Sequence, residues 1–444
     1  MNVLQEIVRR NKSGRRVGIY SCCSANPDVI RAALLKAYKT GTPALIESTS
    51  NQVNQLGGYT GMNPYDFADF VKSLAEEMCV PFDQVIIGGD HLGPLPWVNK
   101  DEDEAMAQAE QLVTSCVLAG YKKIHLDTSM RVASDDPEKP FLTATCADRG
   151  ARLMLAAEKA YEKYHAAHPE APKPVYIIGS EVPVPGGDFN AGKMGVTTAD
   201  DAINTIRIYK EAFDRYGLHD VFDRVLGLVV EMGVEFHEFN LDEYSRTRAA
   251  DLVAAMRTQP LCIECHSSDY QTMRNLRRMC EDGGAILKVG PALTFALREA
   301  LFALEQIEQE VYAEQPEKWS NYRKTLERKM MEDPSHWEDY YRGTPNEQRI
   351  ARAYSFYDRC RYYFALPEVV EARDTLVRNL SGNVIPHCML SQYLPNQYYH
   401  VRRGQVKNEA ADLIWDHIGD AIDGYLQATD YCGMGAPEDS AHIR

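Results

Sequence analysis

The chain of 444 residues is long enough for one large domain with additions, or for two domains. Its composition, with 45% hydrophobic and 25% charged residues, is typical of a globular protein and excludes a disordered or fibrous chain. The net charge of −16 argues against nucleic acid or an anionic membrane as the main partner, because both require a basic surface.

The cysteines indicate reduced thiols, because eleven is an odd number and only Cys22 and Cys23 are adjacent. Cys262 and Cys265 form a C-x-x-C, but residues three apart on a strand point to opposite faces, so we expect two buried core thiols. The sequence shows neither the apolar core of a signal peptide nor a run of about 18 apolar residues. These features predict a cytoplasmic protein without a membrane span.

Eight short apolar runs have the composition of β-strands, and helical periodicity fills the intervals between them. The runs are Val17–Ser21, Ala44–Ser48, Val85–Gly88, Lys123–Asp127, Val175–Glu181, Val225–Glu231, Leu261–His266 and Ala285–Gly290. The intervening helices are Val29–Tyr38, Tyr65–Cys79, Asp103–Leu118, Asp148–His165, Ala199–Phe213, Tyr244–Arg257 and Tyr270–Cys280. Eight such units predict a (β/α)₈ TIM barrel. The alternative, a doubly wound sheet, would carry a glycine-rich turn after its first strand, where this chain has Cys22–Asn26.

After about residue 300 the strand–helix alternation ends, and the sequence predicts a helical extension packed on the barrel. The predicted helices are Thr294–Gln309, Trp319–Met331, Pro367–Leu380 and Glu409–Leu426, with a loop at Ser391–Tyr398. We therefore expect a barrel over 1–300, an extension over 301–434 and a flexible tail over 435–444. From the extension, Arg359, Arg361 and Gln397 are the candidates to reach the barrel mouth.

Polar residues end six of the eight predicted strands. They are Glu47, Asp90 with His91, Asp127, Glu181, Glu231 and His266. The carboxyl ends of barrel strands form the catalytic face, and like charges gathered there are costly unless a cation or chemistry compensates them.

Two histidines at these strand ends predict a divalent metal site. His91 and His266 are the first two expected ligands, with Glu231 as the third and Glu181 in reserve. Zinc is the first expectation, and manganese or another transition metal also fits mixed imidazole and carboxylate ligands. Asp90 should point to the other side of its strand and act as general acid or base.

Proton transfer and substrate binding involve further polar residues. Asp127 and Glu181 are additional candidates for proton transfer. The candidates for substrate binding are Glu47, Asn51, Gln52, Ser267, Lys288 and Arg359. A metal beside such carboxylates suits chemistry on a hydroxy-ketone, in which the metal polarises the carbonyl group; aldol cleavage, isomerisation and epimerisation share that requirement.

The run Ile87–Pro94 resembles the aspartate–histidine strand of class II, metal-dependent fructose- and tagatose-bisphosphate aldolases, and His266 falls where they carry a ligand loop. The whole chain more closely resembles the accessory subunit family of D-tagatose-1,6-bisphosphate aldolase, of GatZ/KbaZ type. The matching segments are Glu47–Gln55, Gly57–Met62, Gly89–Pro94, Gly179–Pro183, Leu287–Pro291 and Ser391–Pro395. The resemblance implies Asp90 as acid/base and His91 as metal ligand.

The same resemblance implies an oligomeric protein that supports a separate catalytic class II aldolase subunit in galactitol or N-acetylgalactosamine catabolism. Compared with the catalytic aldolases, the sixth-strand histidine is replaced by Glu231, and the phosphate loop is replaced by Ser267–Tyr270 with an acidic side chain. The usual bisphosphate site therefore does not carry over to this chain, whereas metal binding does.

Three functions remain open at this point. The first is an accessory subunit that stabilises a class II aldolase. The second is a stand-alone metal-dependent 4-epimerase of a ketohexose or ketohexose phosphate, which would need the retained acidic and histidine residues. The third is a sugar-binding regulator, which is weakest because binding alone does not require clustered carboxylates.

Overall fold

A closed barrel of parallel strands forms the centre of the computed structural model, which describes residues 2–182 and 195–430. The strands of this part are β1 (Ile19–Cys23), β2 (Ala44–Thr49), β3 (Val85–Leu92), β4 (Lys123–Leu126), β5 (Val175–Ile178), β6 (Val225–Val229), β7 (Glu235–Phe236), β8 (Leu241–Asp242), β9 (Cys262–Cys265) and β10 (Gly284–Val289). In the barrel, β1 to β6 are followed by β9 and β10, and β10 pairs with β1. The predicted TIM barrel is confirmed, and β7 and β8 form a small antiparallel hairpin beside it.

Fifteen α-helices of the described chain surround the barrel or belong to the segment that follows it. They are α1 (Val3–Lys12), α2 (Pro27–Thr40), α3 (Pro64–Glu77), α4 (Glu102–Leu118), α5 (Thr143–Ala167), α6 (Ala199–Arg215), α7 (Arg246–Arg257), α8 (Met273–Glu281), α9 (Pro291–Val311), α10 (Tyr322–Glu332), α11 (Pro345–Tyr354), α12 (Pro367–Asn379), α13 (His387–Tyr393), α14 (Pro395–Arg402) and α15 (Ala410–Thr429). Helices α2 to α8 follow successive barrel strands, as the alternation predicted. None of the helices described is long and apolar enough to cross a membrane.

Helix α1 covers the amino-terminal end of the barrel, which the sequence analysis did not anticipate. Its apolar residues Leu4 and Ile7 are fully buried in a cluster with inward-facing strand residues such as Ile19 and Leu45. Covering this apolar surface removes it from water, which is the main stabilising contribution of such a helix. The opposite end of the barrel is left for the site.

Helix α15 completes the outer layer of helices, because it packs against α8, α2, α9 and strand β1. The carbonyl oxygen of Thr429 accepts a hydrogen bond from the Gly18 amide at 3.0 Å. The Tyr425 hydroxyl donates to the Ser268 carbonyl oxygen at 2.8 Å, beside the loop that carries His266. The end of the helical extension is thus part of the barrel wall.

The predicted loop at Ser391–Tyr398 is wrong, because this segment consists of the end of α13 and the start of α14. Pro395 occupies the first turn of α14, where proline is tolerated because its missing N–H has no intrahelical partner there. The division of the chain near residue 300 stays a prediction, and the predicted tail at 435–444 lies outside the described residues.

Candidate metal centre

Strand β3 ends in an irregularity that brings Asp90 and His91 together. The pairing of β3 with β4 shifts register between Gly89 and Leu92, and His91 has φ of 48°. A residue at positive φ interrupts the alternation of side chains along a strand, so adjacent side chains can reach the same place. The expectation that Asp90 points away is wrong, since its Oδ2 lies 3.8 Å from His91 Nε2.

Three imidazoles form a triangle at the carboxyl end of the barrel. His91 lies on β3, His125 on β4 and His266 directly after β9. The ring centroids are 5.1 Å apart for His91–His125, 5.0 Å for His91–His266 and 5.1 Å for His125–His266. These three residues and Asp90 are buried, and each offers a ligand atom within 4.8 Å of the others. The structure therefore brings the two predicted histidines together.

Each imidazole of the triangle has a carboxylate partner on one ring nitrogen. The pairs are His91 Nδ1 with Asp127 Oδ2 at 2.8 Å, His125 Nδ1 with Asp90 Oδ1 at 2.9 Å, and His266 Nε2 with Glu264 Oε1 at 3.1 Å. Metal-binding histidines in proteins have such a partner, which fixes the ring orientation and the tautomer. The His91 amide nitrogen also lies 3.2 Å from His125 Nδ1. With the ring proton on the nitrogen that faces the carboxylate, the other nitrogen of each ring is available as a ligand.

Burial and neighbouring charges set the protonation of these groups. Burial lowers the pKa of His266 to about 4, so its ring is neutral near neutral pH. Burial alone would raise the pKa of Asp127, but its hydrogen bond with His91 lowers that pKa to about 2. Burial likewise opposes ionisation of Asp90, but the Lys288 ammonium and the His91 ring hold its pKa well below the usual range. The pocket thus holds ionised carboxylates, which attract a cation.

The donor set fits a divalent transition metal. His125 Nε2 is buried and has no hydrogen-bond partner among residues 2–182 and 195–430. An orphaned buried nitrogen is costly unless something binds it, and a metal held by His91, His125 and His266 would do so. Three protein ligands also leave the open position that a catalytic zinc site keeps. The identity of the metal stays a prediction, with zinc first and manganese as an alternative.

Asp127, predicted as a proton-transfer group, lies behind His91 and orients that ring. Because such partners raise metal affinity, we expect Asp127→Asn to weaken zinc binding by about 10- to 100-fold. Competition with a chromophoric chelator measures this affinity. Asp135→Asn is the control, because Asp135 pairs with Arg149 away from the triangle. Equal zinc affinity in the Asp127 variant and the wild type would contradict the assigned role.

His125 is the candidate ligand that sequence reasoning missed. It stands within the predicted strand Lys123–Asp127, where a buried histidine is most easily interpreted as part of the core. The available signal was its spacing of two from Asp127, because residues at i and i+2 of a strand share a face.

Glu231 and Glu181, the predicted third ligand and its reserve, do not join the triangle in the part of the chain described. Strand β6 ends at Val229 and β5 at Ile178, so both carboxylates lie in loops beyond the strands. Burial, together with nearby Glu235 and Glu181, raises the pKa of Glu231 to about 8. Glu181 is exposed and accepts a hydrogen bond from Thr197 Oγ1 at 2.5 Å.

A layer of buried charges lies one step deeper in the barrel than the imidazoles. Lys123 Nζ lies 2.8 Å from Glu47 Oε1 and 2.7 Å from Glu264 Oε2. Lys288 Nζ lies 2.6 Å from Glu47 Oε2 and 3.0 Å from Asp90 Oδ1. Glu47, predicted to bind substrate, is therefore fully buried between two lysines. Through Lys288, this layer holds the Asp90 carboxylate in place.

A cavity of about 440 Å³ opens on the triangle and is lined by Asp90, His91 and His266. The predicted substrate-binding residues that line it are Asn51, Gln52, Ser267 and Lys288. Arg359 is not among its lining residues, because its Nε donates to the His336 carbonyl oxygen and its guanidinium stacks on aromatic rings. Arg361, two residues later, lines the cavity instead. The cavity has the size of a small-molecule site.

Comparison with known proteins gives a family over nearly the whole chain. Residues 4–430 match the model of the family described as D-tagatose-1,6-bisphosphate aldolase subunit GatZ/KbaZ-like. The crystal structure of a probable tagatose 6 phosphate kinase from Sinorhizobium meliloti 1021 is 42% identical in sequence. The match covers 93% of this chain and 100% of that one, with a TM-score of 0.83.

Two aldolases are more distant. The YdjI aldolase from Escherichia coli K12 is 14% identical, with coverage of 70% of this chain and 87% of that one and a TM-score of 0.40. The fructose-bisphosphate aldolase from Campylobacter jejuni is also 14% identical, with coverage of 85% and 91% and a TM-score of 0.40. Neither likeness is close enough to support an argument about the site.

Proposed function

Because the chain belongs to the D-tagatose-1,6-bisphosphate aldolase subunit GatZ/KbaZ-like family, we propose that it supports the activity and stability of a catalytic class II subunit. The supported reaction cleaves tagatose 1,6-bisphosphate to glycerone phosphate and glyceraldehyde 3-phosphate. The two chains form an oligomer in the cytoplasm that serves galactitol, N-acetylgalactosamine or tagatose 6-phosphate catabolism. The barrel of this chain binds a divalent metal and a ketohexose or its phosphate.

One observation carries the metal and sugar part of this proposal: three buried imidazoles, each with a carboxylate partner, lie together, and two of them, His91 and His266, line a cavity. A divalent metal bound there would supply a Lewis acid for the carbonyl group of a ketose. Asp90 Oδ1 is held by His125 and Lys288, while Oδ2 faces the imidazoles. That oxygen is placed to take a proton from a sugar hydroxyl and to return it.

The supporting role is tested by mixing a purified catalytic class II subunit with this protein. We expect the catalytic subunit to gain both turnover rate and lifetime at assay temperature, and to elute with this chain in gel filtration. A matched mixture with bovine serum albumin controls for general protein stabilisation. If neither rate nor lifetime improves beyond that control, the supporting role is wrong.

The completeness of the site favours a second candidate function. A purely supporting subunit has no physical need of a histidine triangle suited to a metal, or of a cavity beside it. In this candidate, the chain alone is a 4-epimerase of a ketohexose or ketohexose phosphate. Asp90 takes the proton of the C4 hydroxyl as the C3–C4 bond breaks. The bond then re-forms on the other face of the aldehyde carbon and the proton returns, so no oxidant is required.

Incubation of the metal-loaded protein alone with tagatose 6-phosphate tests the second candidate. We expect the 4-epimer, fructose 6-phosphate, to accumulate, and we expect His91→Ala and Asp90→Asn to abolish it. The Glu231→Gln variant is the control, since that residue lies outside the triangle. If wild-type protein forms no epimer, or if His91→Ala retains full activity, this candidate is wrong.

A further inference from the structure

The position that often binds phosphate in a TIM barrel is filled by a side chain of this protein. That position lies in the loops after the seventh and eighth strands, at a helix amino terminus. Here Asp269 Oδ1 accepts hydrogen bonds from the Gly290 amide at 3.0 Å and the Ala292 amide at 2.8 Å. These donors lie at the start of α9, and the Asp269 side chain is buried where it contacts them. A phosphate at this position would find both amides already bonded to Asp269, and the negative charge of that carboxylate would repel it.

Within residues 2–182 and 195–430, four lysine or arginine side chains line the cavity, and carboxylates neutralise three of them. These three are Arg31 with Glu77 at 2.9 Å, Arg373 with Asp28 at 2.6 Å, and Lys288 with Glu47 at 2.6 Å. Arg361 is the fourth, and it forms no ion pair with any carboxylate in residues 2–182 and 195–430. An ion-paired cation attracts a further anion much less than an unpaired one.

Neutral acceptors hold the Arg361 guanidinium in place. Nη1 donates to the carbonyl oxygens of Tyr357 and Asp358, and Nη2 donates to the Tyr362 hydroxyl at 3.2 Å. Tyr59 also lines the cavity here, with its ring 5.1 Å from that of Tyr362. A fixed guanidinium beside phenol hydroxyls is well suited to a phosphate group, which accepts several hydrogen bonds.

We infer that the cavity binds a ketohexose monophosphate, with the sugar at the histidine triangle and its single phosphate at Arg361. The helical extension, which supplies Arg361 and Tyr362, thereby determines the substrate. The inference rests on the proposed binding of a ketohexose or its phosphate in this barrel. Among the residues that the structure describes, a second phosphate has no comparable position, because Asp269 fills the start of α9. A bisphosphate should therefore bind no more tightly than the monophosphate.

Titration calorimetry of the metal-loaded protein with tagatose, tagatose 6-phosphate and tagatose 1,6-bisphosphate tests this inference. In the wild type, we expect the monophosphate to bind at least about tenfold more tightly than tagatose, and the bisphosphate no more tightly than the monophosphate. In Arg361→Gln, the advantage of the monophosphate over tagatose should fall to less than about threefold, with tagatose affinity unchanged. Arg361→Lys should retain part of the advantage, because it keeps the charge but loses the planar fork.

Arg349→Gln is the matched control, because it removes the same charge from an exposed arginine of the helical extension that bonds Asn346 and does not line the cavity. It should keep the wild-type ratio of affinities. If Arg361→Gln keeps that ratio, or if the bisphosphate binds tenfold more tightly than the monophosphate, the inference is wrong while sugar binding stands. If the wild type binds none of the three sugars, the proposed sugar site fails and the inference fails with it.

Discussion

Replacing His125 by alanine is expected to weaken metal binding by more than about 100-fold. Its Nε2 is the orphaned buried nitrogen of the triangle, and its Nδ1 is oriented by Asp90. Removing a ligand from a three-nitrogen site costs more than removing a partner of a ligand, which already lowers affinity by about 10- to 100-fold. Elemental analysis after dialysis should therefore find about one metal per wild-type chain and less than about a tenth of that in His125→Ala.

The matched comparison is Glu231→Gln, which changes the ligand first expected from the sequence. Because Glu231 lies beyond the end of β6 and outside the triangle, this variant should keep the wild-type metal content. Circular dichroism shows whether both variants keep the barrel. If His125→Ala kept its full metal content and Glu231→Gln lost its metal, the ligand would be Glu231, as predicted from the sequence, and not His125.

Replacing Lys123 by methionine is expected to cost about 3–5 kcal/mol of the free energy of unfolding. The Lys123 ammonium lies between Glu47 and Glu264, and all three side chains are fully buried. Methionine has a similar volume but no charge. Two buried carboxylates therefore lose the cation that stabilises their negative charge, and a water molecule in its place would stabilise them less. Urea unfolding, followed by circular dichroism, measures the loss.

Lys100→Met is the control for the Lys123 variant, because Lys100 pairs with Glu104 at 2.8 Å on the exposed surface. An exposed pair contributes about 0–1 kcal/mol, so this variant should unfold at nearly the wild-type urea concentration. The double variant Lys123→Met/Glu264→Gln should recover part of the stability, since it also removes the Glu264 charge, whereas Glu47 keeps its ion pair with Lys288. A loss below about 1 kcal/mol in Lys123→Met would show that the charged layer does not stabilise the barrel.

The barrel could be predicted because eight apolar runs alternate with helices, and that periodicity is a strong signal over a long chain. Helix α1 escaped prediction because its partner is the open end of the barrel, a surface that exists only after the strands have closed. The sequence of Ser391–Tyr398 predicts a loop because Pro395 lies within it, although proline is compatible with the first turn of a helix.

The arrangement of the candidate site could be predicted in part. His91 and His266 were found because each ends a run of strand residues, and the structure places their rings 5.0 Å apart. His125 was missed because a histidine inside a strand resembles a core residue. Only the closed barrel shows that its side chain lies at the mouth, beside His91 and His266. The predicted direction of the Asp90 side chain was wrong because the sequence contains no sign of the positive φ at His91.

We propose that one metal ion is bound by the imidazoles of His91, His125 and His266. X-ray absorption spectroscopy of the zinc-loaded protein tests it most directly, because the fine structure above the edge distinguishes imidazole from carboxylate and thiolate ligands. We expect the multiple-scattering pattern of three imidazoles, reduced to two in His125→Ala reconstituted with excess zinc. A wild-type spectrum dominated by carboxylate oxygen or by sulfur, or one unchanged by that substitution, would contradict the claim.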